Sequence, residues 1–535
     1  MSFNLADVFE SLADAIPERE ALVCGEQRRT FAELDARANR LAHALAARGV
    51  GPGQHVGLYL HNGAEYVEAM LAAFKLRAVP INVNFRYVED ELRYLFRDAD
   101  LVALLHQRAY APRVEVAREG VPRLGAFLAV EDDSGADLSA LGATPYEEAL
   151  AAASPERGFA PRSPDDLYVI YTGGTTGMPK GVMWRHEDAF FSCLMGANPS
   201  GPPAERPEDV VERAKARPNL AMMSAAPLIH GAAQLGTLIA MFQGFKAILA
   251  PRFEPHEVWR TIERERAMTL SLVGDAMARP LAAALAEPGV AYDLSSLLVL
   301  SSAGAILSTA VKEELRAHLP KLAIIDAFGS SETGSQGLDA GGAQPGGGIK
   351  FKMNANTAVL GDDLEPIEPG SGRIGRIALR GHVPLGYYGD PEKTARTFFV
   401  KDGVRWVLPG DFARVEADGS VTVFGRGSQC INSGGEKIFP EEVENALKAH
   451  PAVFDAVVVG VPDERWGERV AAVVQLRPSA ALTAAEMAAH CRQHVAGYKT
   501  PRELHLVDRM VRSPAGKPDY PWAKKLAAAR THLAS

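Results

Sequence analysis

A glycine- and threonine-rich stretch at residues 171–181, YTGGTTGMPKG, contains residue types that bind phosphate. Glycines let backbone N–H groups approach an anion, threonine hydroxyls donate hydrogen bonds, and a lysine supplies positive charge. The Walker A spacing is absent because Lys180 follows Pro179 and precedes Gly181. A flexible strand-to-helix turn would explain the glycines but not the threonines with the lysine. We predict a different phosphate loop, made by Thr172, Gly173, Gly174, Thr175, Thr176, Gly177 and Lys180.

Four other polar residues are candidates for chemistry. Glu332 lies in a small-residue turn after the apolar run 322–325, and strand ends in α/β sheets are where ligands bind. Lys517 lies in a glycine- and proline-flanked loop. Its positive charge could stabilise a reaction in which two anions are joined and negative charge develops between them. Asp411 and His230 complete the set. Each has a structural alternative. Glu332 could be an exposed acid and Lys517 a solvated lysine. Asp411 could cap a turn, and His230 could be a structural histidine.

Length and composition predict a globular protein with two or more domains. Of its 535 residues, 47% are hydrophobic and 23% are charged. The net charge of −9 gives no general attraction to nucleic acid or anionic lipid. Four scattered cysteines support neither a disulfide framework nor a zinc site. We therefore expect a cytoplasmic protein without a transmembrane segment that binds small molecules.

The order of apolar runs predicts the fold that must hold these residues. Strands and amphipathic helices alternate over residues 34–105 and again over 220–300, which favours parallel sheets. Turn signals after residue 341 predict short β-strands. The fold class is therefore α/β, with a large N-terminal domain (1–428) of two α/β subdomains plus a β-rich subdomain, and a small mobile α+β C-terminal domain (429–535). The proline-rich segment 199–218 is expected to be a surface excursion.

Five motifs in order give the chain a resemblance to the adenylate-forming superfamily, which includes acyl-CoA synthetases. They are the phosphate loop 171–181, DAFGSSETG at 326–334, Gly410-Asp411, Gly425-Arg426 and RSPAGK at 512–517. The resemblance covers most of the chain, from near residue 30 to near residue 524. It implies an enzyme that joins a carboxylic acid to the α-phosphate of ATP.

The resemblance also implies a role for each matching residue. Lys517 would be the catalytic lysine of adenylation, Glu332 would serve Mg²⁺ and the phosphates, and His230 would lie near the acyl carboxylate. Asp411 would accept hydrogen bonds from the ribose hydroxyls, and Arg426 would donate to the nucleotide. The remaining nucleotide and CoA contacts would come from Gly304, Ala305, Asp326, Ala327, Phe328, Gly329, Ser331, Gly434 and Gly435.

The hinge departs from the superfamily pattern. Gln429 precedes Cys430 where an acidic or basic residue is common, and Asn432 stands where lysine is usual. Rotation requires a permissive backbone more than charge, so we still expect a hinge near Gln429. A thioester-step role for a lysine at Asn432 is not expected, and Lys437 is the candidate replacement.

These features predict an ATP-dependent acyl-CoA synthetase that uses ATP, Mg²⁺ and CoA. Residues 190–197 and 225–235 are apolar and are expected to help line a pocket for a fatty or bulky acid. The run 183–187 is similar to bacterial fatty-acid-CoA ligases, including those for sterol side-chain acids. Two alternatives stay open: an adenylation enzyme that loads a carrier protein, and a nucleotide-binding module without activity. A homodimer is a candidate assembly.

Overall fold

Helices and strands alternate along most of the chain in the computed structural model. The structure describes residues 2–172, 178–305, 307–339, 349–433, 436–463, 466–512 and 516–531. Within these ranges no helix has both the length and the apolar character that a bilayer crossing requires. The helices are α1 (Leu5–Ala15), α2 (Phe31–Ala46), α3 (Ala64–Lys75), α4 (Glu89–Asp98), α5 (Ala111–Ala117), α6 (Tyr146–Ala151), α7 (His186–Ser192), α8 (Pro207–Ala216), α9 (Gly231–Phe242), α10 (Pro255–Glu265), α11 (Gly274–Leu285), α12 (Thr309–His318), α13 (Pro391–Thr397), α14 (Pro440–Lys448), α15 (Ala484–His494) and α16 (Tyr520–Thr531).

The strands follow the same chain order. They are β1 (Glu20–Cys24), β2 (Gln27–Thr30), β3 (His55–Tyr59), β4 (Val79–Asn82), β5 (Leu101–Gln107), β6 (Ala126–Val130), β7 (Thr144–Pro145), β8 (Leu167–Thr172), β9 (Lys180–Arg185), β10 (Ala221–Ser224), β11 (Lys246–Leu249), β12 (Thr269–Leu272), β13 (Val299–Ala303), β14 (Ala323–Ser330), β15 (Gly334–Asp339), β16 (Ile349–Met353), β17 (Thr357–Leu360), β18 (Ile374–Arg380), β19 (Gly386–Tyr387), β20 (Phe398–Lys401), β21 (Val404–Val407), β22 (Asp411–Val415), β23 (Val421–Arg426), β24 (Ile431–Ser433), β25 (Glu436–Ile438), β26 (Val453–Asp463), β27 (Gly467–Leu476) and β28 (Glu503–Val507).

The first α/β unit is a parallel sheet in the order β4-β3-β5-β6-β7, as the alternating pattern predicts. Helix α2 begins at a capping box in which Thr30 and Glu33 each accept a backbone hydrogen bond from the other. Its apolar positions, including Leu34, Ala38, Leu41 and Leu45, are buried in the main hydrophobic core.

The second unit forms one edge of a larger sheet that continues into the β-rich region. Among the described residues this sheet has fifteen strands, ordered β2-β1-β11-β10-β12-β13-β14-β15-β16-β23-β22-β18-β21-β20 with β17 beside β18. Strands β1 and β10–β14 run parallel, and the pairs from β14 onward are antiparallel. The parallel strands therefore end at a common edge, where ligands bind in α/β sheets.

The expected surface excursion at residues 199–218 is wrong in part. Residues 207–216 form α8, with Pro207 at its first position and Asp209 accepting hydrogen bonds from the N–H groups of Glu205 and Arg206. Val210 and Ala214 are buried in the main core. The prolines precede and follow a helix that packs on the protein.

The C-terminal sheet has its own cores. Strands β25-β24-β27-β26 form it, with β28 parallel to β27. Side chains on one face pack against α14 and α15, and those on the other face pack against α16. The nearly continuous burial along the middle of β26 and β27 follows from two covered faces.

A buried lysine ties α1, α2 and α3 together and gives a stability prediction. Lys75 Nζ donates to Glu10 Oε1 at 2.6 Å and to Asp35 Oδ1 at 2.7 Å, and its side chain is fully buried. Lys75→Ala should lower the free energy of unfolding by about 3 kcal/mol, because two buried carboxylates lose a partner. Urea unfolding followed by circular dichroism measures the effect. Lys321→Ala, at an exposed position, is the matched control; equal midpoints for both variants would contradict the prediction.

Candidate functional site

Strands β13 and β14 place the predicted adenine-binding residues side by side. Ser302 lies opposite Asp326 and Ala303 opposite Ala327 in the parallel register, and Gly304 and Ala305 follow directly. Asp326 is buried with its Oδ2 atom 2.6 Å from Lys312 Nζ. Burial raises the pKa of Asp326 even though Lys312 opposes the shift. Within the described residues its Oδ1 atom has no hydrogen-bond partner, so it is available to accept one from a ligand.

The end of β14 turns sharply into the segment that carries Glu332. A Cβ atom at Gly329 would lie 2.0 Å from Gly334 O, so only glycine allows this approach of the two backbones. Phe328 is half-buried with its ring centroid 5.3 Å from that of Phe351. Glu332 is buried, and Tyr387 Oη donates to its Oε1 atom at 3.0 Å. The hydrogen bond from Tyr387 therefore holds the Glu332 carboxylate in one orientation.

The predicted phosphate loop joins two antiparallel strands. Thr172 ends β8 opposite Lys180, which begins β9; residues Gly173, Gly174, Thr175, Thr176 and Gly177 lie outside the described residues. Lys180 Nζ is 3.2 Å from Asp98 Oδ1. Burial favours a lower pKa for Lys180, but hydrogen bonds with Tyr94 and Asp98 raise it overall. Lys180 thus stays positively charged, and the neighbouring Asp98 carboxylate partly neutralises that charge.

Asn82, which sequence reasoning missed, connects this loop to the loop that carries His230. Its Nδ2 donates to Tyr171 O at 2.8 Å and to Ile229 O at 2.7 Å, and its Oδ1 accepts from Tyr171 N. His230 is half-buried at the N-terminal end of α9. Asn82 is the single polar residue of β4, and that was the only signal in the sequence for its bridging role.

The His230 loop and the Glu332 turn also meet. A Cβ atom at Gly231 would lie 3.9 Å from Ser331 Oγ, and Trp184 Nε1 donates to Ser331 O at 2.9 Å. Thr172, His230, Ser331 and Glu332 are therefore brought to one region by three separate loops.

Lys517 reaches the same edge from the C-terminal part of the chain. A Cβ atom at Gly304 would lie 3.8 Å from Lys517 Cε. The preceding Gly516 has φ +72°, and a Cβ atom there would lie 3.0 Å from Ala276 Cβ. The Lys517 residue is exposed to solvent.

Asp411 and Arg426 pair at the ends of two antiparallel strands. Asp411 begins β22 opposite Arg426, which ends β23, and Gly427 N donates to Gly410 O at 3.1 Å. Asp411 is buried. The Arg426 side chain, Gly434 and Gly435 lie outside the described parts, although Ser433 pairs with Glu436 on either side of the two glycines.

A small cavity lies between α9 and the strands beneath it. Its volume is about 10 Å³, room for about one water molecule, and its lining is Met222, Met223, Ser224, Gly236, Thr237, Ala247, Ile248 and Ser271. These residues adjoin the stretch 225–235 on both sides but do not include 190–197. Phe190 is fully buried and packs on Phe3 and Phe191 instead.

Comparisons with known proteins show which family the chain resembles over most of its length. The family described as AMP-binding enzyme matches residues 9–388, and the AMP-binding enzyme C-terminal domain matches residues 442–517. The chain is 50% identical over 531 residues to a 3-oxocholest-4-en-26-oate–CoA ligase of Rhodococcus rhodochrous, covering 98% of this chain and 96% of that one. It is also 50% identical to a Mycobacterium tuberculosis medium/long-chain-fatty-acid–CoA/3-oxocholest-4-en-26-oate–CoA ligase, covering 99% and 97%. Among solved structures, the anthranilate CoA ligase AuaEII with anthranoyl-AMP matches with a TM-score of 0.84 at 25% identity, covering 99% of this chain and 98% of the other.

The chain belongs to the AMP-binding enzyme family, the adenylate-forming enzymes. Within that family it falls in the acyl-CoA synthetase branch. The resemblance inferred from the motifs and the α/β fold class are both confirmed.

Glu441, which sequence reasoning also missed, is a carboxyl enclosed between β23 and the C-terminal sheet. A Cβ atom at Gly425 would lie 2.5 Å from Glu441 Oε2, and this oxygen is shielded from solvent without a hydrogen-bond partner in the described residues. Burial, together with the nearby Glu444 and Asp411, raises the pKa of Glu441 from 4.5 to about 8. The folded state therefore binds this proton more tightly, and stability falls as pH rises from about 4.5 to about 8.

Glu441→Gln should remove this pH dependence, since an amide carries no charge to bury. The melting temperature of the variant should exceed that of the original protein by a margin that widens from pH 5 to pH 8. Differential scanning fluorimetry across this range measures the margin. Glu368→Gln, at an exposed position, is the control and should show no such trend. A margin for Glu441→Gln that is independent of pH would show that the carboxyl is already ionised.

Proposed function

We propose that the protein converts a hydrophobic carboxylic acid into its acyl-CoA in two steps, using ATP. The observation that carries the proposal is the position of Lys517 beside Gly304, at the sheet edge that also holds Asp326 and Glu332. A carboxylate and a triphosphate repel each other, so a cation between them stabilises the transition state. We assign that role to Lys517.

In the first step a carboxylate oxygen of the acid attacks the α-phosphorus of ATP. An oxygen–phosphorus bond forms, the bond to the bridging oxygen breaks, and pyrophosphate leaves. Asp326 Oδ1 would accept a hydrogen bond from the adenine amino group, and Asp411 would hold the ribose. Thr172 and Lys180 begin and end the loop that would retain pyrophosphate.

Magnesium fits the residues at the turn after β14. Mg²⁺ at phosphate sites is held by one or two carboxylates together with phosphate oxygens and water. In the described residues no group of three or more histidine, cysteine or acidic side chains could hold a metal ion by itself. Glu332, held by Tyr387, is the carboxylate we assign to Mg²⁺. When bound, the ion would neutralise phosphate charge.

In the second step the CoA sulfur attacks the acyl carbon of the adenylate, and AMP leaves as the thiol proton is lost. We infer that residues 429–535 form a C-terminal domain that turns relative to residues 1–428 near Gln429. Turning would present the Gly434–Gly435 face to CoA, so that one site runs two reactions. A cytoplasmic location and a homodimer remain predictions.

The substrate we propose is a bulky hydrophobic acid. The two ligases with 50% identity are named for a steroid acid and for medium- and long-chain fatty acids. His230 lies at the N-terminal end of α9, and Gly236 leaves open space beside this helix. The apolar tail would lie along α9, with the carboxylate toward His230.

A carrier protein is the alternative acceptor for the acyl group. Acid-dependent exchange of labelled pyrophosphate into ATP tests the first step, and failure with every acid would refute adenylation. Thioester formation with free CoA, compared with a holo carrier protein, then decides the acceptor. Faster transfer to the carrier would replace our proposal by the alternative.

Replacing Lys517 should separate the two steps. Lys517→Ala should slow pyrophosphate exchange by about 100-fold or more, because the developing charge loses its cation. Thioester formation from preformed acyl-adenylate and CoA should stay within about threefold. Lys525→Ala, another exposed C-terminal lysine, is the control. Equal losses in both steps would show that Lys517 does not serve adenylation alone.

A side chain added at Gly236 of α9 should change which acids are used. A Cβ atom at Gly236 meets nothing within 4 Å, so Gly236→Leu can place its side chain in the open space beside α9 without displacing neighbours, and leucine favours helix. We expect kcat/KM for a steroid acid to fall about tenfold or more relative to that for a short acid. Acyl-CoA formation from acids of graded length and ring content measures the ratio. Gly158→Leu, on an exposed loop, should leave it unchanged.

A further inference from the structure

Four charged residues, three of them buried and Arg512 half-buried, link the N-terminal sheet region to the loop that carries Lys517. We call Asp275, Lys448, Asp455 and Arg512 the charge chain. Asp275 lies in the first turn of α11, which follows β12 at the ligand-binding edge. The other three belong to the C-terminal part of the chain.

Arg512 holds the loop next to the catalytic lysine. Its Nε and Nη2 atoms donate to Asp455 at 2.7 and 2.6 Å, and its Nη1 donates to Gly516 O at 2.9 Å. A backbone bridge between Arg512 and Pro518 closes the loop. A bidentate arginine–carboxylate pair fixes the guanidinium plane, so the backbone directly before Lys517 is fixed as well.

Lys448 connects this pair to the other side of the cleft. Its Nζ atom is 3.6 Å from Asp455 Oδ1 and 3.8 Å from Asp275 Oδ2, and its side chain is 2% exposed. Asp275 Oδ1 accepts from Ser308 N at 2.7 Å, which orients the carboxylate. The contact with Asp275 requires the C-terminal sheet to lie against α11.

The neighbouring charges support this docked position. Arg279, one turn along α11, lies 3.9 Å from Asp275 Oδ2 and 5.1 Å from the centre of the Phe454 ring. Glu314 pairs with both Arg279 and Arg477. Because these groups are largely buried, removing one partner leaves an uncompensated charge in a poorly solvated place.

We propose that Asp275 and Arg512 are positioning residues for adenylation. The charge chain couples docking of the C-terminal sheet on α11 to the placement of Lys517 beside Gly304. This rests on the proposed function, since it assumes that Lys517 acts in the first step. A catalytic group misplaced by about 1 Å can cost about 100-fold in rate, so positioning alone has a measurable effect.

Asp275→Asn tests the charge chain with little change in the shape of the side chain. The asparagine oxygen can still accept from Ser308 N, while the negative charge facing Lys448 is removed. We expect kcat for pyrophosphate exchange to fall about tenfold with KM for ATP within about twofold, because docking rather than ATP binding is weakened. Thioester formation from preformed acyl-adenylate should stay within about twofold. Asp293→Asn, whose carboxylate pairs with Arg266 on the surface, should change neither step.

Arg512→Lys is the second variant, and it carries the test if Asp275→Asn does not fold. It keeps the charge but loses the fork that binds Asp455 and Gly516 O together. We expect the same loss confined to the first step. Equal losses in both steps, or none in either, with an active original protein would overturn the proposal. Absence of exchange in the original protein would instead refute the proposed function.

Discussion

The position of Lys517 depends on one close approach between two parts of the backbone. At Gly516 the C-terminal loop meets the first turn of α11 so closely that a Cβ atom would lie 3.0 Å from Ala276 Cβ, and the backbone has φ +72°. Glycine alone adopts this conformation at this distance without strain. The next residue is thereby brought to Gly304, at the edge where the parallel strands end. Without this approach, Lys517 and the residues proposed to bind the nucleotide would lie in separate places.

The surfaces that meet there are charged, whereas the C-terminal sheet has apolar cores of its own. Asp275 pairs with Lys448 and with Arg279, the Arg279 guanidinium also lies over the Phe454 ring, and all three charged side chains are largely buried. Desolvation offsets much of the attraction in such pairs, so they specify a geometry more than they stabilise it. A small net free energy of contact suits two surfaces that would associate and separate in each turnover. Glu441, enclosed beside Gly425 of β23, has a raised pKa and therefore makes a pH-dependent contribution to stability.

Local sequence patterns predicted the elements well because their causes are local. The capping box at Thr30 and Glu33 starts α2, and the helices and strands from α2 to β5 alternate as the pattern over residues 34–105 predicts. Segment 199–218 was misjudged because its prolines and charges obscured the two apolar side chains, Val210 and Ala214, by which α8 packs. The β-rich region was expected as a subdomain, and the strand through which it continues the parallel sheet, β15, was not predicted. Strand pairing over long sequence distances leaves no local signal.

The sequence by itself determined the family, the order of the motifs and the identity of Lys517, Glu332 and Asp411 as candidates, because these rest on residue types at fixed spacing. Only the tertiary structure decided what contacts them. It paired Lys180 with Asp98, placed Asn82 between the Tyr171 and Ile229 backbones, and buried Phe190 against Phe3 and Phe191. It also joined Arg512 to Asp275 through two intervening residues. These contacts connect residues far apart in the chain, and their geometry exists only after the sheets have packed.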